Sequence, residues 1–312
     1  MDLSEQTLSP VPVQTPMPSV PKDGPKPIIS VRHLRKVYRV GDEKVVALRD
    51  INLEIPRGQI VCIVGTSGSG KSTLLNQLAG LEKPTRGAVY IGKTNISKLS
   101  ENQLATFRQR YLGFIFQSYN LLPTMTALEN VALPMIFRGI SRGRRNKAAL
   151  SMLAAVGLKK RALHRPTEMS GGQQQRVGIA RAFVTRPKVI FADEPTGNLD
   201  TKTTIAVMKM MVRFARKYRQ TLIIVTHDPE LSDYADRIVT LIDGVIVNDQ
   251  MHTPIYDGGP EQPQGEAEAP APAEDPPDLS EMDLPLPDDP EEPPKEKTSD
   301  HSNACEGDST DE

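Results

Sequence analysis

Residues 65–72 have the types and spacing needed to bind a phosphate group. The segment Gly65-Thr66-Ser67-Gly68-Ser69-Gly70-Lys71-Ser72 fits the pattern G-x-x-x-x-G-K-[ST], after an apolar run and before helical periodicity. Glycines let backbone N–H groups curl around phosphate oxygens, and the N-terminus of a helix adds favourable partial charge. The pattern directs Lys71 to the β and γ phosphates and Ser72 to Mg²⁺, while Thr73 could bond a further phosphate oxygen. The sequence therefore predicts a nucleotide site rather than a chance glycine-rich turn.

Two adjacent acids, Asp193 and Glu194, close the apolar run 189–192. Buried carboxylates are costly unless they are paired or bound to a metal. Asp193 suits Mg²⁺, directly or through water, and Glu194 suits the polarisation of an attacking water as a general base. Acids at a strand end can instead cap a helix, here one beginning at Pro195. The phosphate-binding pattern makes the catalytic interpretation the stronger one.

Three further polar features remain open on spacing alone. His227 follows the apolar run 222–225, at a strand end where ligands bind in open α/β sheets, although a lone histidine is more often structural. Gln117 closes the run 114–116 and by itself indicates little. The segment Ser170-Gly171-Gly172-Gln173 is a second patch of small, hydrogen-bonding residues, and it leads into a predicted helix. It suits contact with phosphate better than core packing.

The elements that must position these residues alternate between buried strands and helices. The runs 59–64, 189–192 and 222–225 are almost wholly apolar, as expected of strands covered on both faces. Helical periodicity separates them, which predicts an α/β domain with a mainly parallel sheet. The body opens with β-rich runs at 28–31, 45–48 and 51–55. Near its end, Asp243-Gly244 between 237–242 and 245–248 predicts a hairpin.

Between about residues 100 and 165 the pattern changes to helical segments around 104–110, 127–137 and 144–156. We interpret this span as a helical insert in the α/β core. A basic cluster falls within it: Arg138, Arg142, Arg144, Arg145 and Lys147. A solvated helix face or loop explains that cluster better than a lipid- or nucleic-acid-binding role.

Both ends of the 312-residue chain are rich in proline and lack hydrophobic periodicity. We predict disorder over 1–27 and 253–312, leaving a folded domain at 28–252. Residues 253–312 hold 19 acidic and 2 basic residues, so this tail carries −17 while residues 1–252 carry +16. The simpler interpretation of the tail is an appendage that keeps the protein soluble. The more specific one is that the acidic tail docks on the basic residues 1–252. No apolar stretch of bilayer-spanning length is present, so any action at a membrane needs a spanning partner.

These elements, in this order, resemble the ATP-binding-cassette (ABC) ATPases over about residues 28–248. The runs 117–123 (Gln-Ser-Tyr-Asn-Leu-Leu-Pro), 127–131 (Ala-Leu-Glu-Asn-Val) and 193–200 (Asp-Glu-Pro-Thr-Gly-Asn-Leu-Asp) are similar to the group that serves macrolide exporters and lipoprotein-release complexes. The resemblance implies a P-loop NTPase core with a mainly parallel sheet, an N-terminal antiparallel β subdomain and an inserted helical subdomain. It also implies that ATP is hydrolysed with Mg²⁺.

The same resemblance implies roles for individual residues. Tyr38 matches the aromatic residue that stacks on adenine, and Gln117 the glutamine that touches Mg²⁺ and water and senses the membrane partner. Ser170–Gln173 match the family signature, which contacts the γ-phosphate of ATP held by the other subunit. Asp200 matches an aspartate at the subunit interface, and His227 the switch histidine at the γ-phosphate. Two departures, Met169 for the usual Leu and Gly178 for a common Ala, are mild: a volume-conserving swap and about 1 kcal/mol of helix propensity.

The implied partners are a second copy of the chain, in a head-to-tail dimer around two ATP molecules, and a separate transmembrane permease. An extracytoplasmic adaptor could be reached through the permease. The expected location is the cytoplasmic face of the cell membrane, with peripheral attachment. A soluble ABC ATPase acting on ribosomes or DNA is the alternative, disfavoured because the chain has neither a second cassette nor long coiled coils. Mechanical coupling to a cell-wall enzyme is a further alternative within the transporter class.

Overall fold

The computed structural model describes residues 27–259. Its strands are β1 (Pro27–Val40), β2 (Glu43–Pro56), β3 (Ile60–Val64), β4 (Arg86–Ile91), β5 (Thr94–Asn95), β6 (Leu112–Phe116), β7 (Val189–Asp193), β8 (Thr221–Thr226), β9 (Arg237–Ile242) and β10 (Val245–Met251). Its α-helices are α1 (Lys71–Leu78), α2 (Glu101–Tyr111), α3 (Ala127–Phe137), α4 (Arg142–Ala155), α5 (Gly171–Phe183) and α6 (Thr201–Lys217). None of the helices within 27–259 is both long and apolar enough to cross a membrane.

The strands form two sheets. The first is antiparallel, in the order β2-β1-β4-β5. The second has the order β10-β9-β3-β8-β7-β6, in which only the edge strand β10 runs antiparallel to its neighbour. The predicted mainly parallel sheet and N-terminal antiparallel β subdomain are thus confirmed. The predicted hairpin joins β9 to β10, with positive φ angles at Asp243 and Gly244.

The central strands are apolar on both faces because both faces of the larger sheet are covered. In β3, Ile60 and Cys62 join the core beneath α3, α4, α5 and α6, whereas Val61 and Ile63 join the core shared with α1, α2 and the antiparallel sheet. The strands β7 and β8 alternate in the same way. Burial on both faces explains why these runs are apolar throughout instead of alternating between apolar and polar residues. It also holds in place the strand ends that carry the polar residues.

The span predicted as a helical insert also contains a strand. Leu112–Phe116 forms β6 at the edge of the parallel sheet, paired with β7, so α3 and α4 follow a strand rather than extending a purely helical segment. Five residues directly after a helix give too short a run for periodicity to separate strand from helix.

Arg138 differs from the rest of the basic cluster with which the sequence grouped it. Its guanidinium donates hydrogen bonds to the carbonyl oxygens of Gln109, Arg110 and Thr185 at 2.7–3.1 Å. These carbonyls lie near the ends of α2 and α5, so Arg138 ties α3 to two elements of the core. It does not belong to a solvated helix face.

The predicted disordered ends fall largely outside the described residues, at 1–26 and 260–312. The described part of the tail makes contacts with the domain. The His252 N–H donates to Asp236 O and the Ile255 N–H to Asp233 O, each at 2.8 Å. Tyr256 packs against the core beneath α6. Within 253–259, Ile255 and Tyr256 thus contact the folded domain.

Candidate active site

The phosphate-binding segment forms a loop from the end of β3 to the start of α1. Its glycines are required by space and by backbone conformation. A Cβ at Gly65 would lie 2.2 Å from the Leu241 carbonyl oxygen, and one at Gly70, where φ is +99°, would lie 2.6 Å from the Ala47 oxygen. The Lys71 ammonium donates to the carbonyl oxygens of Gly65 and Thr66, both at 2.8 Å. Lys71 thus holds the loop in shape from its inner side.

The N-terminus of α1 is suited to an anion. The first N–H groups of any helix lack intrahelical acceptors, and the residue before α1 is Gly70, which provides no side-chain cap. The first turn contains no acidic residue that could neutralise the positive end of the helix dipole. Backbone donors, a dipole and the Lys71 ammonium therefore meet at one place, an arrangement that fits phosphate oxygens.

Asp193 ends β7 beside this loop. The Ser72 hydroxyl donates to Asp193 Oδ1 at 3.4 Å. Burial raises the pKa of Asp193 above its ordinary value, and the neighbouring Glu194 carboxylate raises it further, against the Ser72 hydrogen bond and the Lys71 charge. A cation here would offset both unfavourable effects. A hydroxyl and a carboxylate are hard oxygen ligands of the kind that hold Mg²⁺ together with substrate phosphates.

Glu194 is held in a fixed orientation at the end of β8. Its backbone has a positive φ of 45°, and its N–H donates to Val225 O at 2.9 Å. One carboxylate oxygen accepts from the Thr226 hydroxyl at 3.0 Å. The other accepts from the His227 backbone N–H at 3.0 Å and lies 2.8 Å from His227 Nδ1. A strained backbone and several donors together orient a half-buried carboxylate, as expected of a group that acts on a ligand.

Gln117 lies next to the acids but touches a different segment. Phe116 pairs with Asp193 across β6 and β7, so Gln117 follows at the same sheet edge. Its carbonyl oxygen accepts from Asn198 Nδ2 at 3.1 Å, and its side chain packs so closely on Gly197 that a Cβ there would lie 2.7 Å from Gln117 Nε2. The glutamine therefore contacts the loop that leads away from Glu194.

The second glycine-rich patch begins α5, and its own side chains cap the N-terminus of that helix. Ser170 Oγ accepts from the Gln173 N–H at 3.4 Å, and Gln173 Oε1 accepts from the Ser170 N–H at 3.2 Å, forming a capping box. A Cβ at Gly171 would lie 2.8 Å from the Tyr119 hydroxyl, and one at Gly172 would lie 2.8 Å from Thr203 Cγ2. Small residues are thus needed where α5 meets the loop after β6 and the start of α6.

Asp200 caps α6, the helix that Gly172 abuts. Its carboxylate accepts from the Thr203 N–H at 3.0 Å and the Thr203 hydroxyl at 2.7 Å. These hydrogen bonds hold the pKa of Asp200 below its ordinary value. The carboxylate stays ionised at the exposed N-terminus of α6, where the helix dipole favours it.

Tyr38, on β1, reaches the helix that follows the phosphate loop. Its hydroxyl donates to Glu82 Oε2 at 2.7 Å, and Thr73 in the first turn of α1 also makes a hydrogen bond to it. The structure thus brings Tyr38 beside the loop, together with Asp193, Glu194 and His227. Ser170–Gln173 begin a different helix, where Gly171 and Gly172 face Tyr119 and Thr203.

Comparison with known proteins agrees with this geometry. Residues 48–197 match the ABC transporter family. The chain is 46% identical over 222 residues to the lipoprotein-releasing system ATP-binding protein LolD of Geobacter metallireducens, covering 71% of this chain and 99% of that protein. The chain belongs to the ATP-binding-cassette ATPase family.

Two further similarities place it within the ABC family. It is 44% identical over 225 residues to the macrolide export ATP-binding/permease protein MacB of Bradyrhizobium diazoefficiens, with 72% of this chain and 34% of that protein covered. A solved ATP-binding cassette, dimeric and bound to ADP and phosphate in a post-hydrolysis state, is 41% identical with a TM-score of 0.68 over 72% of this chain. The predicted resemblance to the macrolide-export and lipoprotein-release group is confirmed. As an ABC ATPase, the chain uses ATP and Mg²⁺.

Sequence reasoning missed four residues of this ABC cassette that position others. Thr226 holds the Glu194 carboxylate, and Glu82 holds the Tyr38 hydroxyl. In α5, Gln175 donates to the Pro195 oxygen, and Arg181 donates to the carbonyl oxygens of residues 119 and 120. For Thr226 there was a signal, a polar residue directly after the apolar run 222–225, whereas Gln175 stands in a run of three glutamines that does not single it out. Glu82 and Arg181 act over 44 and about 60 residues of sequence separation, which no local pattern reveals.

Proposed function

We propose that the chain is the ATP-hydrolysing subunit of a transporter, in which two copies close head to tail around two ATP molecules and drive a separate membrane permease. The observation that carries this proposal is the convergence of an oriented carboxylate, Glu194, with the uncapped N-terminus of α1 at one sheet edge. The group combines donors for phosphate, oxygen ligands for Mg²⁺ and a base for water.

The reaction is the attack of water on the γ-phosphorus of ATP. Lys71 and the backbone amides at the start of α1 bind the phosphates. Ser72 and Asp193 are the residues that would hold Mg²⁺, which would supply positive charge beside the phosphate oxygens. Glu194 orients the attacking water and accepts its proton as the new P–O bond forms. The bond between the γ-phosphorus and the bridging oxygen breaks, giving ADP and phosphate. His227 and Gln117 contact the γ-phosphate and the water from the two neighbouring strand ends.

The second copy supplies the signature segment at the start of α5. Ser170 Oγ already accepts from the Gln173 N–H, but a serine hydroxyl can accept and donate at once. The cap therefore leaves the Ser170 hydrogen available to a γ-phosphate of the opposite subunit. The dimeric state of the related ADP-bound cassette supports this arrangement. Asp200, beside the same helix junction, belongs to the interface in this proposal.

An apolar groove supports a permease partner. A cavity of about 340 Å³ lies between α2, β6, α3 and α5, beside the segment that follows Gln117. Its apolar lining includes Phe114, Phe116, Leu133 and the exposed Phe137. Such a groove fits the apolar face of an amphipathic helix. The names of the lipoprotein-releasing and macrolide-export relatives favour an exporter-like permease, and hence a location on the cytoplasmic face of the membrane.

The test is Glu194→Gln in the full-length chain. The amide keeps the size of the side chain but cannot take a proton from water. We therefore expect ATP binding to persist while hydrolysis falls by on the order of a hundredfold or more. The variant should accumulate as a dimer with Mg-ATP, measured by size-exclusion chromatography.

The matched control is Glu230→Gln, an exposed glutamate in the 3₁₀ segment after β8, which should hydrolyse ATP like the wild type. A Glu194→Gln chain that remains monomeric with Mg-ATP and turns over at the wild-type rate would contradict the assignment. Strong, salt-sensitive binding of the wild type to RNA or DNA, without association with membranes, would favour the soluble alternative.

A further inference from the structure

The carboxylate of Glu82 is the centre of a hydrogen-bonded group next to the nucleotide site. One of its oxygens accepts from the Tyr38 hydroxyl at 2.7 Å and lies 3.0 Å from the Lys36 ammonium. The other accepts from Asn76 Nδ2 at 3.1 Å. Glu82 therefore uses both oxygens to join β1 to α1, across 44 residues of sequence.

Asn76 places this group in the frame of the phosphate loop. It lies on α1, whose first residue is Lys71. The Asn76 carbonyl oxygen also accepts from the Leu81 N–H at 2.9 Å, which fixes the turn that carries Glu82. The position of the Glu82 carboxylate is thus set by the same helix that begins at the phosphate site. Because the Tyr38 hydroxyl donates to that carboxylate, the helix also sets the position of the hydroxyl.

Lys36 contacts both the ring of Tyr38 and the turn that carries Glu82. Its ammonium lies 5.0 Å from the centroid of the Tyr38 ring and donates to the Lys83 carbonyl oxygen at 2.9 Å. A hydrogen bond at the hydroxyl and a cation over one face restrain the ring, so a planar ligand would stack on the face opposite Lys36.

The protonation states agree with these roles. Burial by itself would raise the pKa of Glu82, but the hydrogen bonds from Tyr38, Lys36 and Asn76 bring it below its ordinary value. Burial and the Glu82 hydrogen bond raise the pKa of Tyr38 above its ordinary value. At neutral pH the carboxylate is therefore an ionised acceptor and the phenol a protonated donor, so the hydrogen bond does not titrate away.

We propose that Glu82 is a positioning residue for the adenine base, holding the Tyr38 ring at the angle at which the base stacks on it. The inference rests on the proposed function, since it takes the base of ATP as the ligand of Tyr38. Glu82 touches no nucleotide atom in this proposal. It contributes by removing the rotational freedom that Tyr38 would otherwise lose on binding.

The experiment compares ligands with and without a base. In the full-length chain, Glu82→Ala and Tyr38→Phe should each weaken Mg-ATP binding by about fivefold, the effect of one ordinary hydrogen bond. Binding of Mg-tripolyphosphate, which has the phosphates but no base, should stay at the wild-type value for both variants. The losses in the double variant should be less than additive, because both changes remove the hydrogen bond between Tyr38 and Glu82. Calorimetric titration measures all of these affinities.

The control is Glu101→Ala, which removes an exposed carboxylate 3.9 Å from the Lys83 ammonium, near the same turn. It should leave both affinities unchanged. Equal losses for ATP and tripolyphosphate, or additive losses in the double variant, would show that Glu82 only supports the fold and would overturn the proposal. If Glu82→Ala does not fold, Tyr38→Phe decides alone, and its unchanged ATP affinity would refute the proposal. A wild-type chain that binds no ATP would instead refute the proposed function.

Discussion

The helices α1 and α5 both begin at glycine-rich segments with phosphate-binding composition, yet their N-termini are completed differently. At α1, Gly70 offers no side-chain cap, and the first turn contains no acidic residue. At α5, Ser170 and Gln173 cap each other. The first helix therefore leaves its N-terminal amides open to an anion, whereas the N-terminus of the second is capped by its own side chains.

This difference in capping suggests that α1 binds nucleotide within one chain, whereas α5 takes part when two chains close into a dimer. An uncapped N-terminus beside a lysine can bind phosphate within one chain. In the proposed dimer, the capped N-terminus contributes when a second copy brings another nucleotide to it. Changes at α1 should thus abolish nucleotide binding, and changes at α5 should spare binding but impair hydrolysis by the pair.

Lys71→Ala should have the largest effect. It removes the ammonium that we propose binds the phosphates, and with it the two hydrogen bonds to the loop carbonyl oxygens. We expect Mg-ATP affinity to fall by on the order of a hundredfold, from the loss of charge-assisted hydrogen bonds worth about 3 kcal/mol. Titration calorimetry on the full-length chain measures it. Lys93→Ala, at an exposed turn after β4, is the control. Near-normal ATP binding by a folded Lys71→Ala chain would show that the start of α1 is not the phosphate site.

Ser170→Ala should have an intermediate effect and a different pattern. ATP binding to the single chain should be unchanged. Hydrolysis should fall by on the order of tenfold to a hundredfold because one donor to the γ-phosphate is lost. The lost cap should also lower the free energy of unfolding by about 1 kcal/mol.

Ser100→Ala is the matched control for that variant. Ser100 forms the same type of capping box with Gln103 at the start of α2. It should lose about the same stability while ATP turnover stays at the wild-type rate. If both variants lose stability equally and neither loses turnover, Ser170 is only a helix cap.

Gly178→Ala, inside α5, should have the smallest effect and the opposite sign. A Cβ there would lie 3.8 Å from Gln175 Oε1 and from the Tyr119 carbonyl oxygen, which is ordinary contact. Alanine should therefore raise the free energy of unfolding by up to about 1 kcal/mol through helix propensity. Gly172→Ala on the same helix should be destabilising, since its Cβ would lie 2.8 Å from Thr203 Cγ2. Thermal unfolding distinguishes the two, and a loss of stability in Gly178→Ala would mean that α5 tolerates no added methyl there.

How far the sequence predicts this molecule depends on the range of the interaction. The phosphate loop, the hairpin at 243–244 and the central strands follow from contiguous residues, because glycine conformation and burial on both faces leave local patterns. The strand β6 was not predicted, because it has only five residues and follows α2 without a loop that would mark its start. Arg138 was grouped with its sequence neighbours, although its guanidinium binds carbonyl oxygens near the ends of α2 and α5.

By itself, the sequence determined the fold class, the nucleotide-binding loop and the acids at the strand end, since each rests on residue types within a short span. The ABC family followed from the order of those segments. Only the tertiary structure decided which side chains hold the functional ones in place. Thr226 on Glu194 and Glu82 on Tyr38 are hydrogen bonds between residues far apart in the chain, set by direction and distance, and neither quantity follows from a linear pattern.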